Sequence, residues 1–243
     1  MLKPRGKRDG GEREARDFTV GRGREATRRE PTGLPLALAA YKLSAHDSRE
    51  LPPPGAPEIA FAGRSNAGKS SAINTLTGRR RLAFVSKTPG RTQLINFFSL
   101  GEDAYLVDLP GYGFAGVPGE VREHWKELVG DYVAARSSLA AVVIVMDARH
   151  PLTDLDLTLL EWLRASGRKV HVLLTKSDKL SKQAAISTLA HVREQLSAIV
   201  PGGTAQLFSS LKREGVEEAA EMLSRLAGVH VRSAKNKAPA KGE

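Results

Sequence analysis

The sequence predicts an α/β fold of three layers, with a mostly parallel central sheet and helices on both faces. From residue 58 onward, short runs rich in Val, Ile and Leu end in polar or small residues, as strands covered on both faces do. Between them lie stretches with apolar residues at helical spacing. Strands alternating with helices imply parallel neighbours joined by right-handed crossovers. A length of 243 residues, 41% of them apolar and 26% charged, fits one core with ragged ends, and no internal repeat divides it.

The strand candidates are EIAFAG (58–63), DAYLVDL (103–109), AAVVIVMDA (140–148), KVHVLLT (169–175) and AQLFSS (205–210). TQLINFFSLG (92–101) reads as a further strand, which the Gly101-Glu102 turn makes antiparallel to DAYLVDL. In residues 120–136, Val121, Trp125, Leu128, Val129, Tyr132 and Val133 form one apolar stripe, so a helix is expected there. TDLDLTLLEWLRASG (153–167) begins with capping residues and stops at Gly167, while 181–200 and 215–228 supply two more helices. Residues 31–57 read as a lead-in closed by ELPPPGAP, whose three prolines end any helix or strand. The domain proper is therefore expected over 58–229. The tails, 1–30 and 230–243, have too few bulky apolar residues to offset their ordering entropy and are expected to be disordered.

The formal net charge is +10, concentrated at the ends. Residues 1–30 hold ten Lys/Arg against six Asp/Glu, 230–243 hold four against one, and the remainder 23 against 20. Such arms suit a polyanion such as RNA, or simply keep the protein in solution. The absence of cysteine excludes disulfides, thiolate metal sites and cysteine nucleophiles. No run reaches the roughly 18 to 20 apolar residues of a membrane helix, and MLKPRGKRDGGERE lacks the apolar core of a signal peptide. A cytoplasmic, monomeric protein with no DNA partner is expected.

The chemistry begins at GRSNAGKSS (63–71), which follows a strand and opens a helix ending near Gly78. It matches the phosphate-binding P-loop pattern through Gly63, Gly68, Lys69 and Ser70. Its backbone N–H groups can surround phosphate oxygens at a helix N-terminus, Lys69 can neutralise the β- and γ-phosphates, and Ser70 can ligate Mg²⁺. In LVDLPGYG (106–113), Asp108 ends a strand and either caps a turn or holds Mg²⁺ through water, the use such a residue has in a P-loop fold. Three residues on, the N–H of Gly111 can meet a γ-phosphate. TKSD (175–178) also ends a strand; Asp178 can accept from guanine N1–H and N2–H₂, which adenine cannot offer, and the stem of Lys176 can lie along the purine. With the two motifs before it, TKSD selects GTP over ATP. FSSL (208–211) can place Ser209 and Ser210 backbone groups near the base carbonyl. In SKTPGRTQLINFF (86–98), Thr88 and Thr92 could each close over Mg²⁺ and γ-phosphate, and chemistry alone does not choose between them.

The ordered set GRSNAGKSS, KTPGRTQLINFF, DLPGYGFA, DARHPLTDLD, TKSD and FSSLKREG resembles the bacterial ribosome-biogenesis GTPases of the EngB family, over roughly residues 40–228. The resemblance implies a Ras-like P-loop fold and a GTPase acting in assembly of the large ribosomal subunit, with its precursor and rRNA as partners and a role in septation. It implies Thr92 rather than Thr88 on Mg²⁺, and Lys69, Thr92 and Gly111 as the catalytic set. By the same resemblance, nucleotide contacts fall on Gly63, Arg64, Ser65, Asn66, Ala67, Gly68, Lys69 and Ser70. They continue through Gly90, Arg91, Thr92, Gln93 and Leu94, then Asp108, Leu109, Pro110 and Gly111, then Thr175, Lys176, Ser177 and Asp178, and end at Phe208, Ser209 and Ser210. A resemblance to potassium-activated GTPases, which carry Asn at this place, implies Asn66 as a ligand for K⁺; otherwise it bonds only within its own loop. Thr175 stands where GTPases more commonly carry Asn, which puts one contact to the P-loop in doubt. Tyr112 occupies the place where Ras-like GTPases carry a water-orienting Gln, so slow hydrolysis is expected without a partner. The competing readings are an RNA-binding module in which hydrolysis is incidental and a P-loop small-molecule kinase, the latter disfavoured by TKSD.

Overall fold

Punctuation by glycine and the covering of both sheet faces turn these runs into strands. The structure, a computed structural model, describes residues 33–84, 94–102, 104–112 and 119–229. Among them, β1 (Ala39–Ala45), β2 (Glu58–Gly63), β3 (Ile95–Leu100), β4 (Ala104–Asp108), β5 (Leu139–Asp147), β6 (Lys169–Thr175) and β7 (Thr204–Leu207) form one sheet in the order β1-β3-β4-β2-β5-β6-β7. Only β3 runs against its neighbours, β1 and β4, and the other pairings are parallel. The helices are α1 (Lys69–Thr77), α2 (Gly119–Ala135), α3 (Asp154–Ser166), α4 (Lys182–Ile199) and α5 (Val216–Leu226).

Two cores sandwich the sheet, and β2 shows why its sequence is apolar throughout. Ile59 and Phe61 pack on the α1/α5 side with Ile73, Leu76 and Leu223. Ala60 and Ala62 face the α2/α3/α4 side with Val129, Leu160 and Leu196. Every residue of β2 is buried. At its first residue Glu58 is held by two α2-side groups: the Tyr132 hydroxyl donates to Oε2 at 2.7 Å and Arg136 Nε to Oε1 at 2.9 Å. This buried pair fixes the end of β2 opposite the P-loop.

The lead-in 31–57 proves to contain a strand. β1 pairs with β3 from Ala39↔Leu100 to Ala45↔Ile95, and Leu34 and Leu36 pack into the α1/α5 core. An edge strand with its middle residues exposed and a register shift between Tyr41 and Leu43 shows no clean alternation, so its sequence gives little sign of it.

His171 in β6 lies at the seam with β7. Its Nδ1 accepts from the Thr204 hydroxyl at 2.8 Å, and its Nε2 donates to Gln206 Oε1 at 3.1 Å. Gln206 is oriented by its own amide, which donates to the Gly215 carbonyl at 2.9 Å. Burial pushes the imidazole down from 6.5 to about 4, against the Gln206 hydrogen bond, so the folded chain resists this proton more than the unfolded chain. The stabilisation is present above about pH 6.5 and lost as pH falls through about 4. The swing is roughly 3 kcal/mol. Urea titrations at pH 7 and near pH 4 should show a smaller acid loss in His171→Gln than in the parent; equal losses would remove His171 as the acid-sensitive group.

Candidate functional site

The parallel strands end on one edge of the sheet, and the predicted residues gather there. Gly63 closes β2, Arg64 to Gly68 form the following loop, and Lys69 and Ser70 open α1. Gly63 is required by space: a Cβ there would stand 2.7 Å from the Val145 carbonyl oxygen of β5. Gly68 has φ +98°, a left-handed conformation that only glycine adopts easily. Asp108 ends β4, with Leu109, Pro110 and Gly111 following. Thr175 ends β6, and Lys176, Ser177 and Asp178 form the turn after it. Phe208, Ser209 and Ser210 lie just beyond β7, which stops at Leu207 rather than continuing through them. Leu94 leads into β3 at the same edge, since Asn96 pairs with Asp108. Gly90, Arg91, Thr92 and Gln93 lie outside the described residues.

The P-loop is held by its neighbours. The N–H of Ser65 donates to the Tyr112 carbonyl at 2.9 Å, and the N–H of Tyr112 to the Gly63 carbonyl at 3.3 Å. The hydroxyl of Thr175 lies on the Ala67 carbonyl and 3.0 Å from that of Met146. Lys176 Nζ donates to the Asn66 carbonyl at 2.6 Å and to Asp147 Oδ2 at 2.9 Å. The contact that Thr175 had put in doubt is thus made by its hydroxyl. Asp147 is also gripped by Arg149 through Nε at 2.9 Å and a terminal nitrogen at 2.7 Å. Burial opposes ionisation of Asp147, but the Arg149 and Lys176 hydrogen bonds outweigh it and hold the carboxyl well below the usual range.

Lys69 and Asp108 form a largely buried ion pair, Nζ to Oδ1. Each is the kind of group a phosphate or a magnesium ion would take as partner. Among the described residues no three acidic or histidine side chains converge on one point. Mg²⁺ does not need them, since it binds through one or two protein oxygens plus phosphates, and Ser70 Oγ and Asp108 fit that donor set. Ser70 Oγ donates to the Phe84 carbonyl at 3.1 Å. Among the described residues, the buried side-chain polar atoms without a partner are Arg64 Nε, Ser65 Oγ and Ser177 Oγ. All three lie on the P-loop or the TKSD turn, where a polar ligand would satisfy them.

The side chain of Asp178 is largely shielded from solvent, and its Oδ1 accepts from the Ser209 hydroxyl at 2.6 Å. The N–H of Ser209 is taken by the Glu214 carbonyl at 3.0 Å, so Ser209 acts by orienting Asp178 rather than by offering its amide to a base. Phe208 is buried in the core; its amide donates to Leu174 and its carbonyl accepts from Ser177, so it positions the segment without facing the site. The side chain of Leu109 is likewise buried. Asn66 is exposed with φ +64°, and its side chain makes no hydrogen bond among the described residues, so bonding within its loop is not seen.

Tyr112 turns into the core. Its ring packs in the α2/α3/α4 core, and its hydroxyl donates to Asp156 Oδ1 at 2.7 Å. The other oxygen of Asp156 takes the Thr153 N–H at 2.9 Å and hydroxyl at 2.8 Å, closing the start of α3. Burial, the Asp156 charge and their hydrogen bond keep the phenol protonated far above its ordinary range. Sequence reasoning assigned no role to Asp147 or Asp156. Their signal was the unusual density of acids in DARHPLTDLD, but their partners lie 29 and 44 residues away.

A family model described as a 50S ribosome-binding GTPase matches residues 58–176. The "Probable GTP-binding protein EngB" of Methylobacillus flagellatus is 57% identical over 187 residues, covering 77% of this chain and 90% of that protein. Its namesake in Aromatoleum aromaticum is 58% identical over 180 residues, with 74% and 83% covered. A crystal structure of a probable GTP-binding protein engB shares the fold, with TM-score 0.58 and 24% identity over 70% of this chain and 98% of that one.

Tyr112→Phe should lower unfolding stability by about 1–3 kcal/mol, because Asp156 loses a buried donor. GDP affinity should stay within about twofold, as the hydroxyl is spent on Asp156. Fluorescent-GDP titration and urea unfolding check both; lost affinity with unchanged stability would place the phenol in the site.

Proposed function

The chain belongs to the EngB family of GTP-binding proteins, which are P-loop GTPases, and from that membership we propose that it is a nucleotide switch in assembly of the large ribosomal subunit. One observation carries it: the guanine-reading turn and the phosphate loop are one hydrogen-bonded unit, joined by Thr175 and Lys176. A guanine base held by Asp178 fixes the distance at which its phosphates reach Lys69. Gly63 to Ser70 then surround the phosphates, Lys69 exchanges Asp108 for them, and the N–H of Gly111 meets the γ-phosphate. Mg²⁺ would be held by Ser70, Thr92 and, through water, Asp108, and would supply neutralisation of the phosphate charge.

Hydrolysis by the isolated chain is slow, because Tyr112 is committed to Asp156 and no Gln stands in its place to orient water. A partner completes the site. The precursor of the large subunit and its rRNA are that partner, a reading supported by the description of the matching family model and by the basic tails. The associated role in septation follows from family membership alone.

Asp178→Asn should weaken GTP binding tenfold or more and raise relative affinity for xanthine nucleotides, whose C2 carbonyl accepts from the new amide. Unchanged GTP affinity would end the assignment of Asp178. The switch itself is tested by sedimenting the full chain with large-subunit precursors under a GTP analogue, GDP or no nucleotide. Binding should favour the analogue, and indifference to nucleotide would leave only an RNA-binding module. GTP turnover in KCl and NaCl completes the set, equal rates removing K⁺ at Asn66.

A further inference from the structure

We propose that Arg80, Arg81 and Phe84, on the segment after α1, form a contact surface for single-stranded RNA; this rests on the ribosomal reading above. After the left-handed cap at Gly78, the chain turns back along α1 and is pinned at three points. Arg79 donates to the Ala37 carbonyl at 2.9 and 3.2 Å. Asn74 brackets Ala83, donating to its carbonyl and accepting from its N–H, both at 2.9 Å. The Phe84 carbonyl accepts from Ser70. These bonds fix the backbone and bury Ala83, yet the Phe84 ring is 79% exposed, more than any other large apolar side chain among the described residues.

A single exposed aromatic is ordinary. This one stands three and four residues, at most about 14 Å of chain, from the exposed residues Arg81 and Arg80. Among the described residues neither Arg80 nor Arg81 has an acid partner, while Arg49, Arg136, Arg149, Arg164 and Arg225 each have one. Arg81 also holds a left-handed backbone, φ +61°, which turns the chain between the arginines and the ring. Residues 31–229 carry 23 Lys/Arg against 20 Asp/Glu, so three consecutive arginines are a local excess that solubility does not require.

An anchored ring beside unpaired guanidinium groups is the combination that binds a strand with unstacked bases: the ring stacks on a base and the cations meet phosphates on either side. Duplex RNA hides its base faces and gains from the cations alone. An acidic protein would use Arg80 and Arg81 but leave the ring in water. The surface begins one hydrogen bond from Ser70, so RNA held there lies beside the nucleotide site.

The test uses the full chain and fluorescence anisotropy with a labelled RNA of about 12 nucleotides, single-stranded or annealed, across a KCl series. Phe84→Ala should weaken single-strand binding about tenfold with an unchanged salt slope, and Phe84→Tyr should restore it. The double variant Arg80→Ala/Arg81→Ala should reduce the slope by about 1.4. GDP affinity equal to the parent's shows that each variant is folded. Parental RNA binding in both variants, or equal loss of duplex and single strand in Phe84→Ala, overturns the proposal. Nucleotide-dependent sedimentation with precursor particles is scored separately, so this surface can fail while the switch stands.

Discussion

A loop that turns successive N–H groups inward toward an anion turns its carbonyls outward, and those carbonyls need donors. Here Ala67 and Asn66 are the carbonyls, and the donors are the Thr175 hydroxyl and the Lys176 ammonium, more than a hundred residues away in sequence. The rest of the site depends on that constraint. It sets the P-loop against the end of β6 and so brings the segments expected to take phosphate and base to one place. The close approach of β2 to β5 at Gly63, the Ser65 N–H on the Tyr112 carbonyl and the Tyr112 N–H on the Gly63 carbonyl hold the loop from the other side.

The acids of DARHPLTDLD extend the same logic to both flanks. Asp147, oriented by Arg149, holds the Lys176 ammonium, so the cation that supports Asn66 is itself fixed. Asp156 takes the Tyr112 hydroxyl and fastens the segment after Gly111 to the first turn of α3. The segment that would meet a γ-phosphate is therefore anchored to a helix start through Tyr112 and Asp156. The Lys69–Asp108 pair completes the balance, with each charge countered by the other inside a largely buried edge.

Much of this was legible in the sequence. β2 and β4 to β7 stood out because both faces are covered, and the P-loop, Asp108 and TKSD were readable because their spacing carries their chemistry. β1 was not, because an edge strand with an exposed middle and a shifted register has no periodic signal. Nor were the roles of Asp156, Asp147 and Ser209, which depend on contacts that only the fold creates. Ser209 was read as a backbone contact to the base and instead orients Asp178 through its hydroxyl. Tyr112 was read from its place after Gly111, but the partner of its hydroxyl, Asp156, was not legible.

The central claim is that Thr175 acts on the phosphates by holding the P-loop carbonyl, not on the base. GDP and xanthosine diphosphate affinities measured for Thr175→Val and Thr175→Ser test it most directly. The hydroxyl-free valine variant should lose tenfold or more in affinity for both nucleotides, with their ratio unchanged, while serine stays within about twofold of the parent. A valine variant that binds GDP as the parent does, or one that loses guanine preference instead, would contradict the account.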